Sequence, residues 1–389
     1  MQFSSPAGSL KPSYIREILS AASQPDMISM AGGLPASSLL PVDLIRTSCE
    51  SLADHRELFQ YGASRGYSPL ITTLNKLYPE QNNPWLICNG SQQGIDLIAR
   101  AFVNPGDGVV AEIPAYLGAL QAFQLSGAQI YPLYHISEAG EAGSKPDLIQ
   151  LESHFKTGKV KLFYAVPDFH NPTGKAWSEE TRIRVSNLCR HYGVILIEDS
   201  PYRELRFSGE QCSSLTPLCP EVCISLKSFS KIGFPGIRLG AMSGPAEFIA
   251  IAERIKQATD LHTGLPQQAL INALLNHPKY PDHLAHLRNS YRGRHQQLRS
   301  ELIKQLGNQV QFERVEGGMF IWLKLTKGSG TNVAARALKH KLAVVPGAAF
   351  YPEGVIAEDS AIRLNFSNTE PTLIPEAVSR LANSLESSS

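Results

Sequence analysis

The chain has no long apolar run. Nowhere in its 389 residues does a stretch approach the ~20 apolar residues that a membrane span requires. It also lacks an excess of charge. The 36 Lys and Arg nearly cancel the 35 Asp and Glu, leaving +1, so nothing in the balance draws it to nucleic acid or to an anionic membrane. Cysteine is sparse: Cys49, Cys88, Cys189, Cys212, Cys219 and Cys223, with no C-x-x-C pair. Reduced thiols are expected rather than a disulfide framework, and no metal site is expected even where Cys212, Cys219 and Cys223 crowd together. The start, MQFSSPAGSLKPSYIREIL, has no basic segment followed by an apolar one, so a secretion signal is not expected and the cytoplasm is the default compartment. The Asn89-Gly90-Ser91 sequon is then a chance match. No G-x-G-x-x-G follows a strand-like run, which argues against a nicotinamide site.

What is present is a regular alternation. Short apolar runs recur at WLICNG (85–90), VVAEI (109–113), QIYPLY (129–134), KLFYAV (161–166), GVILIED (193–199), VCISLKS (222–228) and IRLGAMS (237–243). Helical patterns separate several of them, at 91–102 with Ser91 as N-cap, 116–125 and 178–192. Strands alternating with helices of ~10–15 residues predict an α/β fold with a mostly parallel, helix-covered sheet. Its ligand site belongs at the carboxyl ends of the strands. From about residue 276 the pattern becomes α+β: a polar helix over 277–306, strands at 317–325, 342–347 and 361–366, and a closing helix over 374–385. The predicted organisation is an N-terminal arm (1–40), a large domain (41–275) and a smaller C-terminal domain (276–389), with no internal repeat.

Five segments carry chemistry. SLKSFSKIGFPGIRLG (225–240) surrounds Lys231 with Ser228, Ser230 and Arg238. A lysine that condenses with an aldehyde must be partly deprotonated, which burial and neighbouring cations promote. The hydroxyls and guanidinium beside it suit a phosphate. IEDSPY (197–202) ends a buried run in Asp199, placed to face a pyridine nitrogen, with Tyr202 in reach of a phenolic oxygen. NPTG (171–174) offers the Asn171 amide to that same oxygen. NGSQQG (89–94) opens a helix at Ser91 and Gln92, a natural anion site. IPAYLG (113–118) sets Tyr116 after a strand, where a ring can stack on a flat ligand. Singly, each has a plainer reading: a surface loop, an N-cap, a turn, a core aromatic. Together and in order, they ask for one ligand with a phosphate, an aldehyde and a protonated pyridine, which is pyridoxal 5'-phosphate.

The ordered set resembles the fold type I, class I/II aminotransferases that use pyridoxal phosphate, and within them the 2-aminoadipate and kynurenine aminotransferases. The resemblance rests on AGGLP (31–35), YGASRGY (61–67), NGSQQGIDL, NPTG, EDSPY and SFSKIGFPGIRLG. It implies that Lys231 holds the cofactor and moves the substrate proton, while Asp199 holds the ring nitrogen. It places Asn171 and Tyr202 on the phenolic oxygen, Tyr116 on the ring face, and Ser91, Gln92, Ser228, Ser230 and Arg238 on the phosphate. Tyr61 would reach the phosphate of the neighbouring subunit in a homodimer. Arg363 would clamp the substrate carboxylate, with Gly33 close by, and Arg16 would swing over the side-chain pocket. Lys227 is then an ordinary strand-end cation. The implied reaction moves an amino group from an L-amino acid to a 2-oxo acid such as 2-oxoglutarate. The same lysine and aspartate also suit a biosynthetic enzyme that eliminates, oxidises or cyclises an amino acid. A ligand-sensing module of a DNA-binding regulator is disfavoured, since no basic recognition helix precedes the motifs.

Overall fold

The structure is a computed structural model; it describes Gly8, Ile18 and residues 26–136 and 145–386. Its centre is a seven-stranded sheet. In chain order the strands are β1 (Trp85–Cys88), β2 (Gly108–Glu112), β3 (Gln129–Leu133), β4 (Val160–Ala165), β5 (Ile195–Asp199), β6 (Cys223–Ser228) and β7 (Gly240–Ser243). They lie in the order β1-β7-β6-β5-β4-β2-β3. Neighbours pair in parallel except β7, which runs antiparallel to both β1 and β6.

Successive residues of these strands enter different cores. Val109, Leu162 and Ile197 pack on one face, and Val110, Phe163 and Leu196 on the other. This period-two division explains why the strands read as continuous apolar runs: both faces are covered. The helix Glu179–Tyr192 shows how the local sequence sets its limits. The Ser178 side chain accepts from the Thr181 N–H at its start, and Gly193 ends it in the left-handed region at φ 66°.

The second unit is a four-stranded antiparallel sheet ordered Val310–Gln311, Phe320–Leu325, Ala361–Asn365 and Val345–Pro346. The helices Tyr280–Leu306, Gly330–Lys339 and Ile374–Glu386 accompany it.

Several expectations change. The run at 342–347 is not one strand. Leu342–Ala343 pairs in parallel with Ile28–Ser29, and Val345–Pro346 joins the antiparallel sheet. Residues 28–31, expected within an arm, therefore form an edge of the second unit, with Met30 and Ala31 buried. The strand expected over 237–243 starts only at Gly240. A 3-10 turn, Pro235–Ile237, precedes it, and Arg238 adopts the left-handed conformation at φ 54°. The helices Val42–Glu50, Ser68–Leu77, Leu148–Lys156, Ala246–Asp260 and Leu265–Asn276 were not anticipated.

Candidate active site

The carboxyl ends of the parallel strands meet the second unit at a cavity of about 300 Å³. Its walls hold Ser91, Gln92, Tyr116, Asn171, Asp199, Tyr202, Ser228, Ser230, Lys231 and Arg238 from the large sheet side, with Gly33 and Arg363 opposite. Two expected residues are not among them. Tyr61 stands 78% exposed, its ring edge-on to His262 at 5.9 Å. Arg16 lies outside the described residues.

Adjacent acids at the end of β5 differ sharply. Glu198 faces the far side, where its oxygens accept from Ser214 Oγ at 2.8 Å, Leu215 N at 3.0 Å and Thr216 Oγ1 at 3.4 Å. Asp199 faces the cavity. Its Oδ2 accepts from the Tyr164 hydroxyl at 2.7 Å, while Oδ1 is buried with no partner. Burial raises the Asp199 carboxyl to about 6, against which the Tyr164 hydrogen bond works. A buried acid with one empty oxygen is complementary to a ring N–H.

Lys231 sits across the pocket and donates to the Gly33 carbonyl at 2.7 Å. Burial first, then the Arg238 and Arg363 charges, bring its ammonium down to about 8. An amine in that range exists partly as the free base near neutral pH.

The anion end is built from a helix start and a loop. Gly90, not Ser91, is the N-cap of the helix Ser91–Phe102, at φ 78° and with no side-chain cap. The first amides of the helix thus have no capping side chain. Glycine is required at this point: a Cβ at 90 would lie 3.0 Å from Arg238 Nη2, and one at Gly240 would lie 2.9 Å from the Ser91 nitrogen. The Gln92 side chain is occupied elsewhere. It donates to the Gly118 carbonyl at 2.7 Å and accepts from the Tyr116 hydroxyl at 3.2 Å. It braces Tyr116 and leaves its backbone N–H for an anion.

Arg363, on the strand Ala361–Asn365, enters from the second sheet. It is buried, donates to Asn171 Oδ1 at 2.8 Å and to the Ala31 carbonyl, and lies between the rings of Phe320 (4.5 Å) and Phe350 (4.8 Å). Burial lowers it to about 10, still a cation at neutral pH. Burial raises the Tyr202 hydroxyl above the usual phenol range, opposed in part by its hydrogen bond with Asn171.

Lys227 departs from its expectation. It is 4% exposed, its Nζ has no hydrogen-bond partner, and it rests 4.6 Å from the Tyr78 ring centroid. Strand parity turns it away from the cavity, and the Tyr78 ring covers it. His170, just before Asn171, is buried, its Nδ1 3.0 Å from Thr173 Oγ1, and burial brings it down to about 4.

Sequence reasoning overlooked Tyr164 and Phe350, both of which line the cavity. A signal existed for Tyr164, because a phenol inside a buried strand needs a partner for its hydroxyl. None existed for Phe350.

An amine held near neutrality opposite a half-paired acid and two arginines is the equipment of an amino-group-handling enzyme. Residues 26–381 match the family model described as aminotransferase class I and II. The 2-aminoadipate transaminase of Thermus thermophilus is 34% identical over 391 residues, covering 99% of this chain and 96% of that protein. Among solved structures, the kynurenine aminotransferase of Pyrococcus horikoshii has a TM-score of 0.91 at 36% identity, over 99% of this chain and 96% of that one. The α-aminoadipate aminotransferase of T. thermophilus has a TM-score of 0.88 at 33% identity, over 99% and 97%. The chain belongs to the class I and II aminotransferases, with their type I fold.

Proposed function

We propose that the chain is a pyridoxal-phosphate-dependent aminotransferase that moves the amino group of an L-amino acid to a 2-oxo acid, 2-oxoglutarate being the expected acceptor. The single observation that carries the residue roles is the unpartnered Oδ1 of Asp199, buried opposite a lysine brought down to about 8. The chain's residues fit the cofactor: an empty carboxylate oxygen for the ring nitrogen, helix-start amides with Arg238 for the phosphate, and an amine for the aldehyde. When bound, pyridoxal phosphate supplies the electron sink that makes a substrate Cα–H acidic.

The chain's part is then positional and acid–base. Asp199 would keep a proton on the ring nitrogen. Asn171 and Tyr202 would hold the phenolic oxygen, and Tyr116, braced by Gln92, would cover one ring face. Ser91, the Gln92 backbone, Ser228, Ser230 and Arg238 would hold the phosphate. Arg363 binds the substrate carboxylate, and its fixed fork serves donor and acceptor in turn, as alternating half-reactions require. Lys231 would be the base that takes the Cα proton.

The same reading makes the active unit a homodimer in the cytoplasm. Phe59, Tyr61 and Leu261 are 64%, 78% and 52% exposed, which supports a face that a second copy covers and from which Tyr61 reaches the other subunit's phosphate. Among the described residues no helix is long and apolar enough to cross a membrane. We propose a large domain (41–275) and a small one (276–389), the latter joined by residues 28–31 through the pairing of Ile28–Ser29 with Leu342–Ala343.

The test is the visible absorbance of the purified protein with single amino acids and no oxo acid. A cofactor band that bleaches with one donor and returns with 2-oxoglutarate is expected. A band that bleaches with a donor but is not restored by any 2-oxo acid would replace transamination with elimination or cyclisation chemistry.

A further inference from the structure

Asp199 has one hydrogen-bond donor, and that donor comes from the neighbouring strand. β4 and β5 pair in parallel with Tyr164 beside Ile197. Asp199 is two residues further along the same face. At ~3.3 Å per residue this offset matches the reach of a tyrosine side chain leaning along its strand. Tyr164 is 2% exposed, and its ring meets that of the fully buried Phe123 edge-on at 5.9 Å. The phenol is thus fixed before any ligand arrives.

We propose that Tyr164 is the positioning residue of Asp199: its hydroxyl occupies Oδ2, holds the carboxylate ionised and leaves Oδ1 directed at the cofactor's ring nitrogen. This rests on the reading that Asp199 faces that nitrogen. Without the phenol, the carboxylate is free to rotate and becomes a stronger base, so the proton shared with the ring nitrogen moves toward Asp199. Burial and the Asp199 charge keep the Tyr164 hydroxyl well above the usual phenol range, so it remains a donor throughout the working pH range. The other titratable groups that feel the Asp199 charge are Tyr116, after β2, and Tyr202, after β5 itself. Among the described residues no lysine or arginine forms an ion pair with it.

The test is Tyr164→Phe, which removes one oxygen and keeps the ring. Full-length protein freed of cofactor is titrated with pyridoxal 5'-phosphate from about pH 5 to 9, and affinity is plotted against pH. Affinity is expected to fall on the acid side as Asp199 takes up a proton. In the variant this limb moves to higher pH by about one unit, and affinity at neutral pH drops about tenfold. The ionisation of the cofactor's own phosphate is common to both proteins and cancels. A uniform loss of affinity with no movement of the limb would assign Tyr164 to packing alone and overturn the proposal, as would an unchanged profile. In an Asp199→Asn background, Tyr164→Phe is expected to move nothing further; an equal shift there would also overturn it. If the unaltered protein takes up no pyridoxal phosphate at any pH, the functional reading fails and this inference fails with it. If it binds normally and only the variant disagrees, this inference fails alone.

Discussion

The two halves of the cavity satisfy their charges differently. On the sheet side, Asp199 has an empty oxygen and Lys231 a single carbonyl contact. On the second-unit side, Arg363 leaves only Nε unpartnered: both Nη atoms donate, to Asn171 and to the Ala31 carbonyl, and two phenyl rings enclose it. The difference matches what each half is expected to hold. A resident group completes the sheet side, so its polar atoms are left incomplete. A substrate that comes and goes needs a rigid receptor, and Arg363 is held in place without it.

Breaking the sheet side should cost most. Lys231→Ala is expected to lower kcat at least ~1000-fold by removing the base. Lys227→Met should leave turnover within about twofold, and it should raise unfolding stability by about 1 kcal/mol because it replaces a buried amine that has no hydrogen-bond partner with an apolar chain that can still pack on Tyr78. Equal losses in the two variants would undo the assignment of the lysines.

Asp199→Asn should reduce kcat ~100-fold and weaken cofactor binding. It also has a signature without cofactor. The Asp199 carboxyl is raised by folding, so the stability it contributes is present at low pH and lost as pH rises through about 6. The Asn variant should therefore gain most in thermal midpoint, relative to the unaltered protein, at pH values well above 6. A gain that is the same on both sides of 6 would contradict the raised carboxyl.

The second-unit side should break more gently. Arg363→Lys is expected to raise KM for the amino acid ~10–100-fold and leave cofactor affinity unchanged, since an ammonium cannot reproduce the two-pronged contact. Parallel losses of cofactor affinity would erase the distinction between the halves. The smallest effect links them. The rate at which cofactor-free protein captures pyridoxal phosphate should rise with pH through about 8, not through the 10.5 of an ordinary lysine. Arg238→Gln removes one of the cations that lower Lys231, and so should move that rise to higher pH, read by stopped-flow absorbance.

Much of this was legible without coordinates, for local reasons. Strand ends are marked by apolar runs meeting Gly, Asn, Asp or Ser, and twelve of the expected site residues do line the cavity. The misreadings are equally physical. Ser91 looked like a cap, but the close approach of Arg238 and β7 gives that place to Gly90. Lys227 read as an ordinary strand-end cation because a lysine's burial depends on what packs above it, here Tyr78 from a distant helix end. Five helices of the described residues escaped notice.

The sequence by itself determined the order of the chemical groups, because that follows from residue type and spacing, while the choice of Lys231 over Lys227 rested on the resemblance of SFSKIGFPGIRLG to a known family. Only the tertiary structure decided which of two adjacent acids is half-paired, which phenol holds it, and that Arg363 and Gly33 meet Lys231 across one cavity. Those are contacts between residues far apart in the chain, and no local periodicity encodes a distance through space.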